Sequence, residues 1–159
     1  MSETTSVKFG LIPLEIWRRE KPIDIFRKMV TREFPAPPIS EQFDFLLSEI
    51  EHGRAVFEGK PKGNFYNPLG TIHGGFITTL LDSAMACAIH STLEAGKGST
   101  SVEIKVNFAR PIYEKTGMLR AVGEIVNVGR QIASAEGRLI DAHGKLYAHG
   151  TTTCFIFDL

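Results

Sequence analysis

Hydrophobic residues concentrate in one long segment of the chain, residues 71–93. Its larger apolar side chains recur three and four positions apart, the spacing that places them on one side of an α-helix. This pattern predicts a helix that begins near His73 or Gly74 and ends near Leu93. The residues expected to face the core are Phe76, Ile77, Leu80, Leu81, Ala84, Met85 and Ala88.

The opposite side of this predicted helix carries Asp82, the only residue between Lys62 and Glu94 with a formal charge at neutral pH. Its neighbours on that side are small: Gly75, Thr78, Thr79 and Ala86. A solvent-exposed face would normally carry several charges, so this face is expected to be covered by a ligand or another chain. An ionised carboxylate is rarely buried without a partner. Asp82 is therefore expected either to form an ion pair or to act chemically.

Shorter segments alternate between apolar and polar residues, as β-strands do. The clearest is residues 100–111, with apolar side chains at Val102, Ile104, Val106 and Phe108. The other candidates are residues 53–61, 118–129, 131–141 and 146–158, the last two joined as a hairpin by the turn 141–145. This order predicts an α+β fold, in which one long helix packs against a curled antiparallel sheet.

Residues 1–45 are interpreted as an N-terminal helical arm, and residues 46–159 as the main domain. One helix is predicted to begin at Pro22, because proline suits the first turn. Its apolar stripe comprises Ile23, Phe26, Met29 and Val30. The prolines of residues 34–38 would end it. Ser40 is expected to cap a second helix, whose end could already be strand. The stripe of that helix comprises Phe43, Leu46, Leu47 and Ile50.

Charge and cysteine usage limit the classes of function. The 18 basic and 18 acidic residues balance, so no general attraction to nucleic acid or to an anionic membrane is expected. Cys87 and Cys154 stand in apolar surroundings without CxxC spacing, and are interpreted as reduced core residues. The first ten residues show no signal peptide, and a central Asp82 makes membrane insertion of residues 71–93 costly. The prediction is a cytoplasmic protein.

The predicted start of the long helix supplies hydrogen-bond donors. The first turn of a helix leaves N–H groups unpaired, and glycines at positions 74 and 75 let a substrate atom come close to them. A developing oxyanion would be stabilised there. Asp82 lies eight residues beyond Gly74, which is about 12 Å along the helix axis. One carbonyl can hardly contact both groups of one chain, so the spacing predicts an obligate dimer with a two-fold axis.

The segment NPLGTIHGGFITTLLDSAMACAI resembles the signature of hotdog-fold thioesterases of the phenylacetic acid degradation, or PaaI-like, branch. Further similarity runs through residues 106–112, 123–137 and 144–154, so the resemblance covers residues 45 to 157. It implies a long helix wrapped by an antiparallel sheet, and homodimers that often pair into tetramers. It also implies hydrolysis of acyl-coenzyme A (acyl-CoA) thioesters at sites between subunits, with no metal and no other cofactor.

The resemblance also implies roles for particular residues. Asp82 matches the general base that activates water, or alternatively the nucleophile. The Gly74 N–H matches the oxyanion donor, and Asn67 matches a residue that polarises or positions the thioester carbonyl. His73 is expected to support this loop as a neutral hydrogen-bonding residue or to contact the thioester. Ser101 is expected to help Asp82 hold the water.

Other residues are expected to contact the coenzyme A portion or the acyl group. Gly75 and Thr79 are the expected substrate contacts on the small face, and Arg130 matches a basic position near the nucleotide phosphates. Arg110 is a further candidate of the same kind. The aromatic residues that could line an acyl pocket are Trp17, Phe65, Tyr66 and Phe76. His143 and His149 are interpreted as surface residues.

Two other functions stay open at the level of sequence. A non-catalytic acyl-CoA sensor would keep the pocket, although binding alone does not require Asp82. A hotdog enoyl-CoA hydratase or dehydratase would use a His/Asp or His/Glu pair in a different motif. The chain has neither the GxSxG motif of serine hydrolases nor the GxxxxGK[ST] loop of P-loop enzymes.

Overall fold

The computed structural model describes residues 6–159. Within them, the α-helices are α1 (Leu14–Arg19), α2 (Pro22–Val30), α3 (Pro38–Phe43) and α4 (Gly74–His90). The strands are β1 (Phe45–Glu51), β2 (Arg54–Gly59), β3 (Lys97–Phe108), β4 (Leu119–Val128), β5 (Ile132–Asp141) and β6 (Leu146–Asp158). They form one antiparallel sheet in the order β1-β2-β4-β5-β6-β3. The predicted α+β architecture, with one long helix against a curled antiparallel sheet, is confirmed.

The core of the protein lies between α4 and the sheet. All seven residues predicted to face the core from the long helix are buried, because its apolar side matches the apolar face of the strands. Gly123 of β4 permits this close contact, since a Cβ at that position would lie 2.3 Å from the carbonyl oxygen of Ala84. Any larger residue at position 123 would push α4 away from the sheet.

The C-terminal end of α4 differs from the prediction. The helix ends at His90 and not near Leu93. Ser91 Oγ donates a 2.7 Å hydrogen bond to the carbonyl oxygen of Ala88, and Thr92 Oγ1 donates one of the same length to Ile89. Such local side-chain bonds compete with helix continuation. Neither α4 nor any other helix in the described part of the chain has the length and apolar character needed to cross a membrane.

Strand β3 forms one edge of the sheet and, among the described residues, pairs only with β6. Its register shifts between Ser101 and Glu103, so Val102 is a β-bulge whose side chain is 60% exposed. Strict alternation would place Ser101 and Ile104 on opposite faces. The extra residue brings both to the side of α4, where Ser101 bonds to Asp82 and Ile104 packs on the core.

The N-terminal arm packs on the main domain through α2. This helix begins at Pro22 as predicted, but Ile25 takes the buried position expected for Ile23. Phe26 and Met29 belong to the main hydrophobic core, and α2 lies against β1. The short helix α1 had no counterpart in the sequence analysis. The division of the chain at residue 45 stays a prediction.

The predicted cap at Ser40 is wrong. Helix α3 starts at Pro38, two residues before the predicted cap, because the fixed φ of proline suits the first helical position. Ser40 therefore lies inside the helix and is buried. Asp44 ends α3 in a left-handed conformation, with φ 48°. The apolar residues that follow belong to β1 and not to a helical stripe: Leu46, Leu47 and Ile50.

Candidate active site

Asp82 and Ser101 form the polar centre of the site. Asp82 projects from the middle of α4, and its Oδ1 accepts a 2.8 Å hydrogen bond from Ser101 Oγ. The Asp82 side chain is half-buried. No cationic side chain of residues 6–159 forms an ion pair with it. Its second oxygen, Oδ2, also has no hydrogen-bond partner in this part of the chain. The carboxylate is held in place from one side and free on the other.

Two protonated thiols lie beside this pair. Burial raises the pKa of Cys87 to about 12, and the negative charge of the nearby Asp82 carboxylate adds to the shift. Burial also raises the pKa of Cys154, whose Sγ lies 3.8 Å from Ser101 Oγ. Both cysteines are free. Because a thiol must ionise to act as a nucleophile, neither cysteine competes with Asp82 for that role near neutral pH.

The start of α4 presents a single unpaired amide to the surface. His73 is the N-cap, and its Nδ1 accepts a 2.8 Å hydrogen bond from the Gly75 N–H. An imidazole that accepts at Nδ1 carries its proton on Nε2, so His73 is neutral in this arrangement. The Gly74 N–H has no partner among the described residues. His73 thus satisfies one donor of the first turn and leaves its neighbour available.

Asn67 orders the loop that precedes α4. Its Oδ1 accepts hydrogen bonds from the N–H groups of Leu69 and Thr71, at 2.9 and 3.2 Å. Its Nδ2 donates to Thr71 Oγ1 at 2.8 Å. One hydrogen of this Nδ2 therefore stays available for a substrate oxygen. Asn67 therefore has a structural role in this loop, in addition to the carbonyl-binding role that the resemblance implies.

Gly74 opens into a cavity of about 370 Å³, here called the Gly74 cavity. Asn67, Phe108 and Arg110 are among its lining residues. A Cβ at position 74 would lie 3.0 Å from the Phe108 ring, so glycine lets this ring lie directly over the helix start. The cavity is therefore lined by the free Gly74 N–H, the Asn67 side-chain amide and Arg110.

A second pocket of about 540 Å³ adjoins the Gly74 cavity and shares Arg110 and Pro111 with it. Here it is called the basic pocket; its side chains are those of Arg110, Tyr113, Lys115, Thr116, His143, Lys145 and Tyr147, beside Pro111. Asp141 stabilises the hairpin that carries two of them, because its carboxylate accepts from the N–H groups of His143 and Lys145. His143 is exposed, as predicted for a surface residue. The cluster suits an anionic ligand.

Sequence reasoning missed Lys115 and Lys145, because they lie far apart in the chain and no local motif links them. Arg110 was recognised, and its Nη1 donates a 2.6 Å hydrogen bond to the carbonyl oxygen of Leu146. Arg130 is exposed in the turn between β4 and β5 and lines neither of these two pockets. The structure therefore offers a basic cluster different from the one that the sequence pattern indicated.

The other predicted contacts lie on the open side of α4. Gly75 is exposed, and Thr79 is half-buried with its Oγ1 donating to the Gly75 carbonyl oxygen at 2.8 Å. Both belong to the same small face as Asp82. Gly74 and Asp82 themselves are on one continuous helix, eight residues apart, which separates them by about 12 Å along its axis. One copy of the chain therefore does not bring both residues into contact with the same bond.

Comparison with known proteins identifies the family. A model of the Thioesterase superfamily matches residues 69–148. Acyl-coenzyme A thioesterase 13 of Mus musculus is 32% identical over 118 residues, which are 70% of this chain and 82% of that protein. A phenylacetic acid degradation-related protein of Ralstonia eutropha JMP134 has 27% identity and a TM-score of 0.73, covering 82% of this chain and 98% of its own.

The fold likeness extends to more distant proteins. The E. coli PaaI protein from the phenylacetic acid degradation operon superposes with a TM-score of 0.74. The match covers 85% of this chain and 95% of PaaI at 18% identity, which shows a shared fold. The architecture is the hotdog fold, and the resemblance seen in residues 67–89 is confirmed. The chain belongs to the thioesterase superfamily.

Proposed function

We propose that the protein hydrolyses acyl-CoA thioesters to the free acid and coenzyme A. The observation that carries this proposal is the Asp82 carboxylate, which Ser101 holds at 2.8 Å and which no cation of the described residues neutralises. A carboxylate in this state can accept a proton from water. Membership of the thioesterase superfamily and the similarity to a named acyl-coenzyme A thioesterase support the substrate class.

In the proposed reaction, Asp82 and Ser101 hold one water molecule. Oδ2 of Asp82 takes a proton from this water while the oxygen of the water attacks the thioester carbonyl carbon. The resulting oxyanion accepts a hydrogen bond from the Gly74 N–H and is further stabilised by the Asn67 side-chain amide. Collapse of the tetrahedral intermediate breaks the C–S bond, and the departing thiolate takes up the proton that Asp82 removed from the water, which restores the carboxylate. Direct attack by the carboxylate stays the alternative to base catalysis.

The Gly74 amide in this reaction comes from a second copy of the chain. One subunit separates its own Gly74 and Asp82 by about 12 Å, whereas a two-fold axis lets each subunit supply one group to each of two sites. The open edge of β3 is the natural place for such an axis, since its 12 residues expose unpaired backbone groups. Val102 and Phe108 on this strand are 60% and 55% exposed, and would be covered in the dimer. Further pairing into tetramers stays a prediction.

The phosphates of coenzyme A are proposed to bind in the basic pocket. This pocket adjoins the Gly74 cavity through Arg110, so a thioester held at Gly74 has cationic side chains next to it. Arg110, Lys115 and Lys145 supply the charge. Arg130 remains a proposed contact from the other subunit, with Gly75 and Thr79 beside the reacting group. The reaction requires no metal, because a carboxylate base and an amide donor supply the charge stabilisation.

A panel of acyl-CoAs assayed for free thiol tests this function. The wild-type protein is expected to release thiol, and Asp82→Asn to lower kcat by roughly 10²–10⁴-fold, the usual contribution of a general base. Asp24→Asn, a change to an exposed aspartate of α2, is the matched control and should keep full activity. Tight acyl-CoA binding without thiol release would indicate a sensor instead. Hydration of enoyl-CoA without thiol release would indicate a hydratase.

A further inference from the structure

An apolar cavity of about 260 Å³ lies beneath the N-terminal arm. Trp17, Phe26 and Met29 of the arm form one wall, and Phe45 and Phe57 of the sheet form the floor. The remaining lining residues are Gly10, Leu11, Ile12, Pro35, Pro37, Ser83 and Cys87. None of the lining side chains carries a charge. This cavity is here called the arm cavity.

The arm is fixed over this cavity by specific contacts. The backbone of Gly10 donates a 2.9 Å hydrogen bond to Ala36, and Ala36 donates one of the same length to Lys8. These bonds tie two arm segments together as a roof. Trp17 stacks on His90 of α4, with ring centroids 5.2 Å apart, and its carbonyl accepts the Gly96 N–H at 3.0 Å. These hydrogen bonds and the ring stacking therefore hold the arm in place over the cavity.

The arm cavity reaches the face of α4 that carries Asp82. Ser83 follows Asp82 directly, and Cys87 lies one helical turn beyond Ser83. Asp82, Ser83 and Cys87 are half-buried, and Ser83 and Cys87 line the cavity, so the cavity wall begins one residue from the carboxylate. The neutral Cys87 thiol adds no charge to the wall. An apolar group attached to a carbonyl at Asp82 can enter without burying an ion.

We propose that the arm cavity binds the apolar acyl group of the thioester substrate, and that the arm thereby sets substrate specificity. This inference rests on the proposed function, since it takes the reacting carbonyl to lie at Asp82. By proportion with an apolar protein cavity of about 150 Å³ that holds benzene, the arm cavity of about 260 Å³ accommodates roughly ten carbon atoms. The preferred substrates are medium-chain or aryl acyl groups, while charged acyl groups are excluded.

Trp17 gives a direct readout of occupancy, because it is the only tryptophan in the chain. The probe is decanoyl-CoA, titrated against the Asp82→Asn protein while Trp17 fluorescence is followed. A saturable change is expected, with half-saturation at least tenfold lower in concentration than for acetyl-CoA, and no change with coenzyme A alone. The same response to all three compounds, or none to decanoyl-CoA, would overturn the proposal.

Substitutions in the cavity should change the chain-length preference. Cys87→Phe fills the cavity from α4, and is expected to lower the ratio of kcat/KM for decanoyl-CoA over butyryl-CoA at least tenfold. Leu11→Asn is the second variant; Leu11 is 83% exposed at the rim, so the change leaves folding intact. It should lower the same ratio severalfold. Ile39→Phe is the control, because this exposed residue of α3 lines none of the cavities described above.

The two proposals fail in distinguishable ways. Thiol release with an unchanged chain-length ratio in both cavity variants would leave the thioesterase function standing and refute the acyl site. A chain-length-dependent Trp17 response without thiol release on any acyl-CoA would support the binding site and refute hydrolysis.

Discussion

Ser101 Oγ reaches Asp82 Oδ1 at 2.8 Å because the β-bulge at Val102 brings Ser101 to the side of α4. This bond fixes one oxygen of the carboxylate, and the other, Oδ2, has no hydrogen-bond partner among residues 6–159. A water molecule between Oδ2 and the serine oxygen would contact both residues. The edge strand that is proposed to form the dimer also carries this positioning serine.

Ser101→Ala should slow catalysis without unfolding the protein. A hydrogen bond to a charged group contributes about 1.5–3 kcal/mol, so kcat is expected to fall roughly 10- to 100-fold, with a smaller change in KM. Steady-state kinetics with an acyl-CoA substrate measures this. Ser99→Ala on the same strand is the control. Unchanged kcat in Ser101→Ala would remove the serine from the proposed site.

His73 is expected to act as a helix cap and not as an acid or base. Its Nδ1 accepts the Gly75 N–H, and loss of an N-cap acceptor costs about 1 kcal/mol. His73→Ala should therefore lower the thermal stability, whereas His73→Asn, which keeps an acceptor, should restore it. The pH profile of kcat in His73→Asn should match the wild type. Loss of one limb of that profile would instead show that the histidine titrates during catalysis.

Acidification should weaken the docking of the arm through His90. Burial lowers the pKa of His90 below its ordinary value of 6.5, with a smaller opposing effect from the Lys97 carbonyl. The unfolded chain therefore binds this proton at a higher pH than the folded protein does. The contribution of His90 to the free energy of unfolding therefore decreases as pH drops below 6.5. It stops decreasing once His90 is protonated in the folded state as well.

Chemical denaturation of the wild type and of His90→Phe across pH 5 to 8 measures this effect. The difference in unfolding free energy between the two proteins should change in favour of His90→Phe on the acid side. His149→Gln, a change to an exposed histidine, is the control. The exposed Lys21–Glu94 ion pair, which also joins the arm to the end of α4, is present in all three proteins. A parallel pH dependence in wild type and His90→Phe would contradict the prediction.

The Gly74 amide can be removed with little change to the helix. Gly74 is the first helical residue, where proline is tolerated and contributes no N–H. His73 already has the extended conformation that precedes proline, with ψ 138°. Gly74→Pro is expected to lower kcat by roughly 10²–10³-fold, the usual cost of one oxyanion donor. Gly74→Ala keeps the N–H and meets the same Phe108 ring, so it separates loss of the donor from crowding.

The long helix could be predicted from sequence because its apolar residues repeat along one side. The same pattern identified Asp82 as the unusual charge, and the motif at residues 67–82 identified the family. The bond between Ser101 and Asp82 was implied by the resemblance alone, since simple alternation in β3 does not reveal the bulge at Val102. A bulge depends on pairing with β6, which is a property of the folded sheet.

The remaining differences between the sequence-based predictions and the structure arise from contacts between segments that are distant in the chain. Lys115 and Lys145 meet in the basic pocket because two loops come together at one end of the sheet. Trp17 was among several aromatic candidates for an acyl pocket, and the structure places it in the arm cavity. Phe76, another candidate, is 2% exposed in the core instead. Aromatic residues look alike in sequence, and only packing separates the two uses.

The shared active site is tested most directly by mixing subunits. Asp82→Asn and Gly74→Pro are each expected to be nearly inactive as pure proteins. In an equal mixture that refolds together, half of the dimers combine the two variants, and each of these has one intact site of two. Recovery of about a quarter of the wild-type activity is the predicted result. Activity no greater than the sum of the separate variants, in a mixture shown to exchange subunits, would contradict a site built from two chains.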